Sequence, residues 1–217
     1  SANAGNDATL LSCKVVGEHQ RTCVDLIADI AINPSFPESE LATARGLVDS
    51  ATLQLITNAG DLADAHLRNL VWGGDHPRGW GLTHEVLSRI TRADVVDWHR
   101  SWFKPQNAVL VIAGDVNTRG LKFRLSQTFR SWARGKVPER ASYESRQPTD
   151  LTVRLVDRPD LAEAHIRLGH LGVAYSDADF FDSLVFNQAL GGAGASRLSA
   201  LVRARAGALY AASSRFE

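Results

Sequence analysis

The feature that most limits what this chain can fold into is a stretch with no periodicity. Residues 135–150, GKVPERASYESRQPTD, carry two prolines and charges of alternating sign. About sixteen residues without an apolar face cannot cross a core, because the backbone N–H and C=O groups would lose water and gain no partners. The stretch reads as a linker. It divides the 217 residues into a first domain over 1–134 and a second over 151–217. The chain contains no Met, and its end falls inside a strand-like run. The chain is therefore expected to be a processed or excised piece of a longer protein.

The pattern within each part supports that class. A strand over 9–16 is followed by a helix over 19–31, with Cys23, Leu26, Ile27 and Ile30 on one face and Asn33-Pro34 as its stop. Pro37 opens a helix running to about 57. Its Leu41, Ala44, Val48, Ala51 and Leu55 repeat at three-four spacing and mark an inward face, with Asp49 and Ser50 turned away. A helix over 62–72 leads into an irregular loop, GGDHPRGWGL. Thr91 is placed to cap a helix over 93–102; a buried strand over 108–113 and a helix over 118–132 follow. Beyond the linker come strands over 151–156 and 165–171, then a helix over 178–190. The expected fold is α+β, two layers of antiparallel sheet covered by helices.

Composition excludes several functions. Lys+Arg and Asp+Glu both number 24, so there is no net field to hold nucleic acid or an anionic membrane surface. No run approaches the ~20 apolar residues of a membrane span. Cys13 lies in the strand-like run and Cys23 on a helix, which reads as two buried free thiols. The seven histidines form no His-x-x-Glu-His or His-Glu-x-x-His pair. His76 reads as a turn or packing residue. His165 and His170 fall on opposite faces of one strand. There is no Gly-x-Ser-x-Gly elbow, and neither Cys has a suggestively spaced His. The turn at Gly191, Gly192 and Gly194 either cradles an anion at a helix start or is a tight turn capped by Ser196.

The last segment, LGGAGASRLSALVRARAGALYAASSRF, carries the most suggestive pair. A helix opening at Ser196 is stopped by Gly207, and a strand over 209–216 follows. Arg203 in the last helical turn and Tyr210 at the strand start come to one edge of the layer. A permanent cation and a phenol donor suit a carbonyl or a developing oxyanion. The plain alternative is a helix-end charge favourable to the dipole and a packing aromatic.

This segment resembles the insulinase/pitrilysin-type (inverzincin) zinc metallopeptidases, relatives of mitochondrial processing peptidase, in their pattern LGG-x-x-SSRL followed by LRE-x-x-GL-x-Y. The match is ungapped and keeps Arg203 and Tyr210 at the family's separation. Ala2-Asn3-Ala4 with Thr9, LIADIAINPSFPESEL, GGDHPRGWGL, ITRADVVDWHRSWFKPQNAVLVIAGDV and LVDRPDLAEAHIRLGH resemble further family segments in the right order. The resemblance implies metallopeptidase-like domains and a metalloendopeptidase whose chamber is shared between two halves. Catalytic halves carry His-x-x-Glu-His on a helix that would lie upstream of Ser1. Their third ligand is a Glu at the end of a pattern like ERG-x-I-x-x-E. The stretch here is ARGLVDSA, with Ala51 at the ligand position and Ala44 at that of the supporting Glu; a one-turn register shift would bring Glu38 or Glu40 instead.

A methyl group has no lone pair to give a metal, so the resemblance implies a half without a metal site, inactive alone. Zinc would then reside in a homologous partner half or subunit. Arg203 and Tyr210 would reach across to the peptide substrate. The edge strand at Asn3 pairs with substrate in catalytic halves; its part in a zinc-less half stays open. Two rivals stand: a structural, non-proteolytic relative serving as an assembly or scaffold subunit, and a parent that is itself a peptidase using a displaced ligand. A bacterial periplasm or cell envelope fits such halves.

Overall fold

The computed structural model describes every residue except Asn6, Leu82, residues 144–149 and 205–210, and Glu217; the side chain of Arg203 is also outside the description. The chain divides into two units: Ser1–Ser145 with Arg154–Arg167, and Arg146–Val153 with Leu168–Glu217.

The first unit opens with a hairpin. Strands β1 (Ala2–Ala4) and β2 (Thr9–Leu11) pair antiparallel, Asn3 opposite Leu10. The turn is closed by the Gly5 N–H donating to the Ala8 carbonyl at 2.9 Å. Helices α1 (Gln20–Ile32), α2 (Glu38–Thr57), α3 (Ala59–Trp72), α4 (His84–Arg89), α5 (Arg92–Trp102) and α6 (Thr118–Thr128) follow. Their ends obey local chemistry. Thr91 and Asp94 form a capping box, Thr91 Oγ1 accepting from the Asp94 N–H and the Asp94 carboxylate accepting from the Thr91 N–H at 2.7 Å. Asn58 breaks α2 from α3 and caps the latter, accepting from the Asp61 N–H at 3.1 Å. Each such cap is worth about 1 kcal/mol.

Two features tie these helices together. Arg92 at the start of α5 donates from Nε to the Phe36 carbonyl at 2.6 Å and from Nη2 to the Ser35 carbonyl at 2.8 Å. That clamp holds the bend between α1 and α2, where Phe36 has a φ of +45°, a left-handed conformation costly for a residue with a large side chain. His99 sits between the rings of Phe36 and Phe103 and hydrogen-bonds the Ala31 carbonyl through Nε2 at 3.0 Å. Around them Cys23, Ala28 and Ala31 are buried.

Three expectations are corrected. Cys13 and Cys23 are not free thiols; they form a disulfide, with Cα atoms 5.9 Å apart. The strand expected over 9–16 ends at Leu11, and a 3₁₀ turn at Gly17–His19 reverses the chain. That reversal brings residue 13 beside the first turn of α1. The run over 108–113 is not a buried strand: Val109 is 90% and Val111 81% exposed, and Leu155 and Leu168 beyond the linker are 90% and 88% exposed.

The described residues are therefore helix-rich, with one two-stranded sheet in place of the expected two layers. The physical reason is pairing. A β-prone run becomes a strand only with a neighbour about 4.8 Å away to take its N–H and C=O groups. Among the described residues only the Gly5 turn delivers one.

In the second unit, α7 (Phe180–Asn187) runs into a π turn, Gln188–Gly192, and then α8 (Arg197–Ala204). Phe216 packs edge-on to Phe180 with centroids 5.7 Å apart, and Tyr175 packs against the same ring at 4.8 Å. A Cβ on Gly172 would lie 2.8 Å from the Phe216 ring, so that glycine lets the aromatic seat close to the backbone.

Candidate functional site

Helix α2 carries the position where a metal ligand was to be sought. Ala51 is exposed there, as is Ala44. Of the face expected to point inward, Leu41 and Leu55 are half-buried while Ala44, Val48 and Ala51 are exposed. The adjoining polar flank is packed as well: Arg45 donates to the Ile90 carbonyl at the end of α4, and the Asp49 carboxylate meets His84 Nδ1 at 2.6 Å. Asp49 thus faces a neighbouring helix rather than solvent. The apolar repeat predicted the helix correctly. It did not predict that the packing turns towards Arg45 and Asp49, because α4, which supplies His84, was not foreseen after the irregular loop. Thr83 starts α4 by accepting from the Val86 N–H at 3.3 Å, and Leu87 is the helix's buried residue.

Glu40, at the alternative register, lines a cavity of about 500 Å³ together with Asp29, Phe36, Ala44 and Arg92. No group of three or more His, Cys, Asp or Glu able to hold a metal occurs among the described residues. These side chains do not fit a catalytic zinc ion, which needs three protein ligands and an open position. Among the remaining histidines, His76 stacks on Trp72 at 4.6 Å and accepts from the Arg78 N–H at 3.1 Å, a turn and packing role. His170 Nδ1 contacts the Leu171 carbonyl at 2.7 Å.

The glycine turn is more closely built. Ser196, buried, caps α8: its Oγ accepts from the Ser199 N–H at 3.3 Å and donates to Ser199 Oγ at 3.0 Å. A tight, capped turn is what the residues form. The π turn before it widens the end of α7, a device that recurs at functional sites. The segment after Tyr210 returns to this turn. The Ser214 N–H donates to the Gly191 carbonyl at 3.2 Å, and Ser214 Oγ donates to the Asn187 carbonyl at 3.2 Å. A Cβ on Gly191 would lie 2.6 Å from Ser214 Oγ and 2.9 Å from Leu198 Cδ1; only glycine admits that approach.

Arg203 lies in the last turn of α8, the register expected for it. Tyr210 and Gly207 lie outside the described residues. What the structure gives is the frame: one capped helix carrying Arg203, and a return segment pinned at Ser214 four positions after Tyr210. Sequence reasoning missed Ser214. Its signal was available in the small-residue run AASS facing a double glycine, a combination suited to close backbone approach.

Comparison with known proteins places this architecture. A family model described as the peptidase M16 inactive domain matches residues 89–217. An uncharacterised zinc protease of Bacillus subtilis is 25% identical over 97% of this chain and 50% of its own length. One of Mycobacterium tuberculosis is 28% identical over 97% of the chain and 48% of its length. The β subunit of mitochondrial processing peptidase of Neurospora crassa is 25% identical over 88% and 41% respectively. The chain thus spans about half the length of the curated relatives it matches. The crystal structure of a peptidase M16 inactive domain from Pseudomonas fluorescens superposes with a TM-score of 0.67 at 21% identity, covering 88% of this chain and 46% of that one, a likeness of fold.

Proposed function

The chain belongs to the peptidase M16 inactive-domain family, and on that premise we propose that it is part of the zinc-less half of a two-half zinc peptidase. It completes a chamber whose metal is held by a homologous half or subunit, and it grips the peptide substrate through Arg203 and Tyr210. The observation that supports this reading is a Ser196-capped helix whose last turn carries Arg203, followed further along the chain by a segment anchored at Ser214.

Hydrolysis of a peptide bond develops negative charge on the carbonyl oxygen. A guanidinium and a phenol O–H held ready for that oxygen and the neighbouring peptide group lower the barrier, each by about 2–4 kcal/mol when preorganised. The Ala51 methyl and the lack of a metal-holding cluster among the described residues support assigning the zinc elsewhere. In this reading 1–134 end the first α+β domain, 135–150 link, and 151–217 open the second. The exposed β-prone runs over 108–113, 151–156 and 165–171 pair into the two sheet layers within the longer protein. The disulfide favours an oxidising compartment and so supports a periplasmic or envelope site. Among the described residues no helix is long and apolar enough to cross a membrane.

The test uses the full-length protein assembled with its zinc-bearing half. Arg203→Ala and Tyr210→Phe are each expected to lower kcat/KM by about 30- to 1,000-fold, with zinc content unchanged. Undiminished hydrolysis by both variants would leave the scaffold role as the function.

A further inference from the structure

We propose that the cavity between the end of α1 and the starts of α2 and α5 is a binding site for an amphipathic organic cation, an ammonium or guanidinium carried on an apolar body. The cavity holds about 500 Å³, within the size range of small-ligand sites. Ile30, Leu41, Ala44 and Val95 give it aliphatic walls, and its charged lining is Asp29, Glu40 and Arg92. All of them lie in the first unit.

The three charges are not equivalent. Arg92 is turned onto the bend between α1 and α2, its Nε and Nη2 donating to the Phe36 and Ser35 carbonyls at 2.6 and 2.8 Å. The Asp29 carboxylate accepts from Asn33 Nδ2 at 3.2 Å, a neutral donor. Among the described residues neither Asp29 nor Glu40 pairs with a cationic side chain. Two carboxylates against one engaged guanidinium leave one negative charge, and apolar walls concentrate its field in the opening.

The position of Asp29 sharpens the point. Glu40 stands in the first turn of α2, where the helix dipole favours an acid. Asp29 stands in the last turn of α1, where the dipole disfavours one, and no basic residue shares that turn. A bound cation would relieve that conflict. Both carboxylates are exposed and so stay within reach of a ligand arriving from solvent. The bend beside them is held in shape: Pro34 and Pro37 each fix a φ, and Phe36 keeps its left-handed φ of +45°, the kind of outlier found at ligand clamps. A site already in shape loses little when it is filled.

The experiment is a calorimetric titration of the full-length protein with n-hexylamine, 1-hexanol and hexanoate, equal in chain length and different in charge. Hexylamine is expected to bind with a Kd of about 1 mM, about 10-fold more tightly than hexanol, and hexanoate more weakly than either. Asp29→Asn and Glu40→Gln should each weaken hexylamine about 3- to 5-fold and leave hexanol unchanged. Ala44→Leu, at an exposed helical position, should fill the cavity and abolish binding. The cation has two sources, and N-acetyl-lysine amide separates them: tighter binding than hexylamine assigns the site to a peptide side chain, weaker binding to a free amine.

Equal affinity for hexylamine and hexanol, or no binding of either, overturns the proposal. So does a preference for hexanoate, which would make Arg92 the governing charge. Hexylamine affinity unchanged by both carboxylate variants, or retained in Ala44→Leu, would place the amine elsewhere on the protein. The comparison among the three probes uses the unaltered chain, so it stands whether or not each variant folds.

Discussion

Helix α2 and the glycine neck after α7 are both places where peptidase chemistry was to be expected, and they are built to opposite tolerances. No described residue of α2 is buried, and a Cβ added to Gly46 in its middle would meet nothing within 4 Å. At the neck, a Cβ on Gly191 would press on a backbone, a hydroxyl and a leucine at once. Two glycines thus have contrary meanings. One is a vacancy in an exposed helix; the other is a condition for three segments to touch. Around Ala51, which offers no ligand, the surroundings are loose; where Gly191 meets Ser214 and Leu198 they are close.

The comparison is easiest to break at the neck. Gly191→Ala is expected to cost about 3 kcal/mol, the upper range for forcing a methyl into a packed site, read as a fall in the urea midpoint. A loss under about 0.5 kcal/mol would mean the neck is no tighter than α2. Next comes the covalent tie of the first unit. Replacing Cys13 and Cys23 together by Ser should cost about 2.5 kcal/mol through the loop entropy returned to the unfolded chain. Mass spectrometry under non-reducing conditions should first find the intact bond.

The opposite sign is expected in α2. Gly46→Ala should stabilise by about 0.5–1 kcal/mol, since the helix gains propensity and the methyl meets no obstacle. A destabilised variant would show that this face is covered in the full-length protein, and would undo the contrast drawn above.

The smallest effect is a pH dependence. Burial holds the His99 imidazole below its ordinary value of 6.5, against the opposing pull of the Ala31 carbonyl. The fold thus favours the neutral ring. Its contribution is complete above 6.5 and is lost as the pH falls through the lowered folded-state value. Urea midpoints taken from neutral to mildly acidic pH should decline, and His99→Gln should flatten that slope.

Much of the fold was legible because its signals are local. The 38–57 helix could be read from Pro37 and the three-four repeat, and the start of α5 from Thr91 and Asp94. The strands were less so. The run around Val109 is continuously apolar and the one around Leu155 alternates, both strand-like, but pairing depends on a second segment that propensity does not name. Cys13 and Cys23 were misread for a related reason. Their meeting depends on the chain reversing at 17–19, which no periodicity announces. For the candidate site, the helix carrying Arg203 was visible in its Ser196 cap. The contact of Ser214 with Gly191 was harder to read, since it joins positions far apart along the chain.

The disulfide, finally, is lopsided. Cys13 faces solvent and Cys23 is buried in the first turn of α1. An incoming thiolate can reach only the outer sulfur, so exchange forms a mixed disulfide on Cys13 and expels the Cys23 thiolate inward. That asymmetry supplies a ready labelling handle: a thiosulfonate probe introduced after brief reduction should settle first on residue 13. From there it would report on the hairpin while the helix beside it stays unmodified.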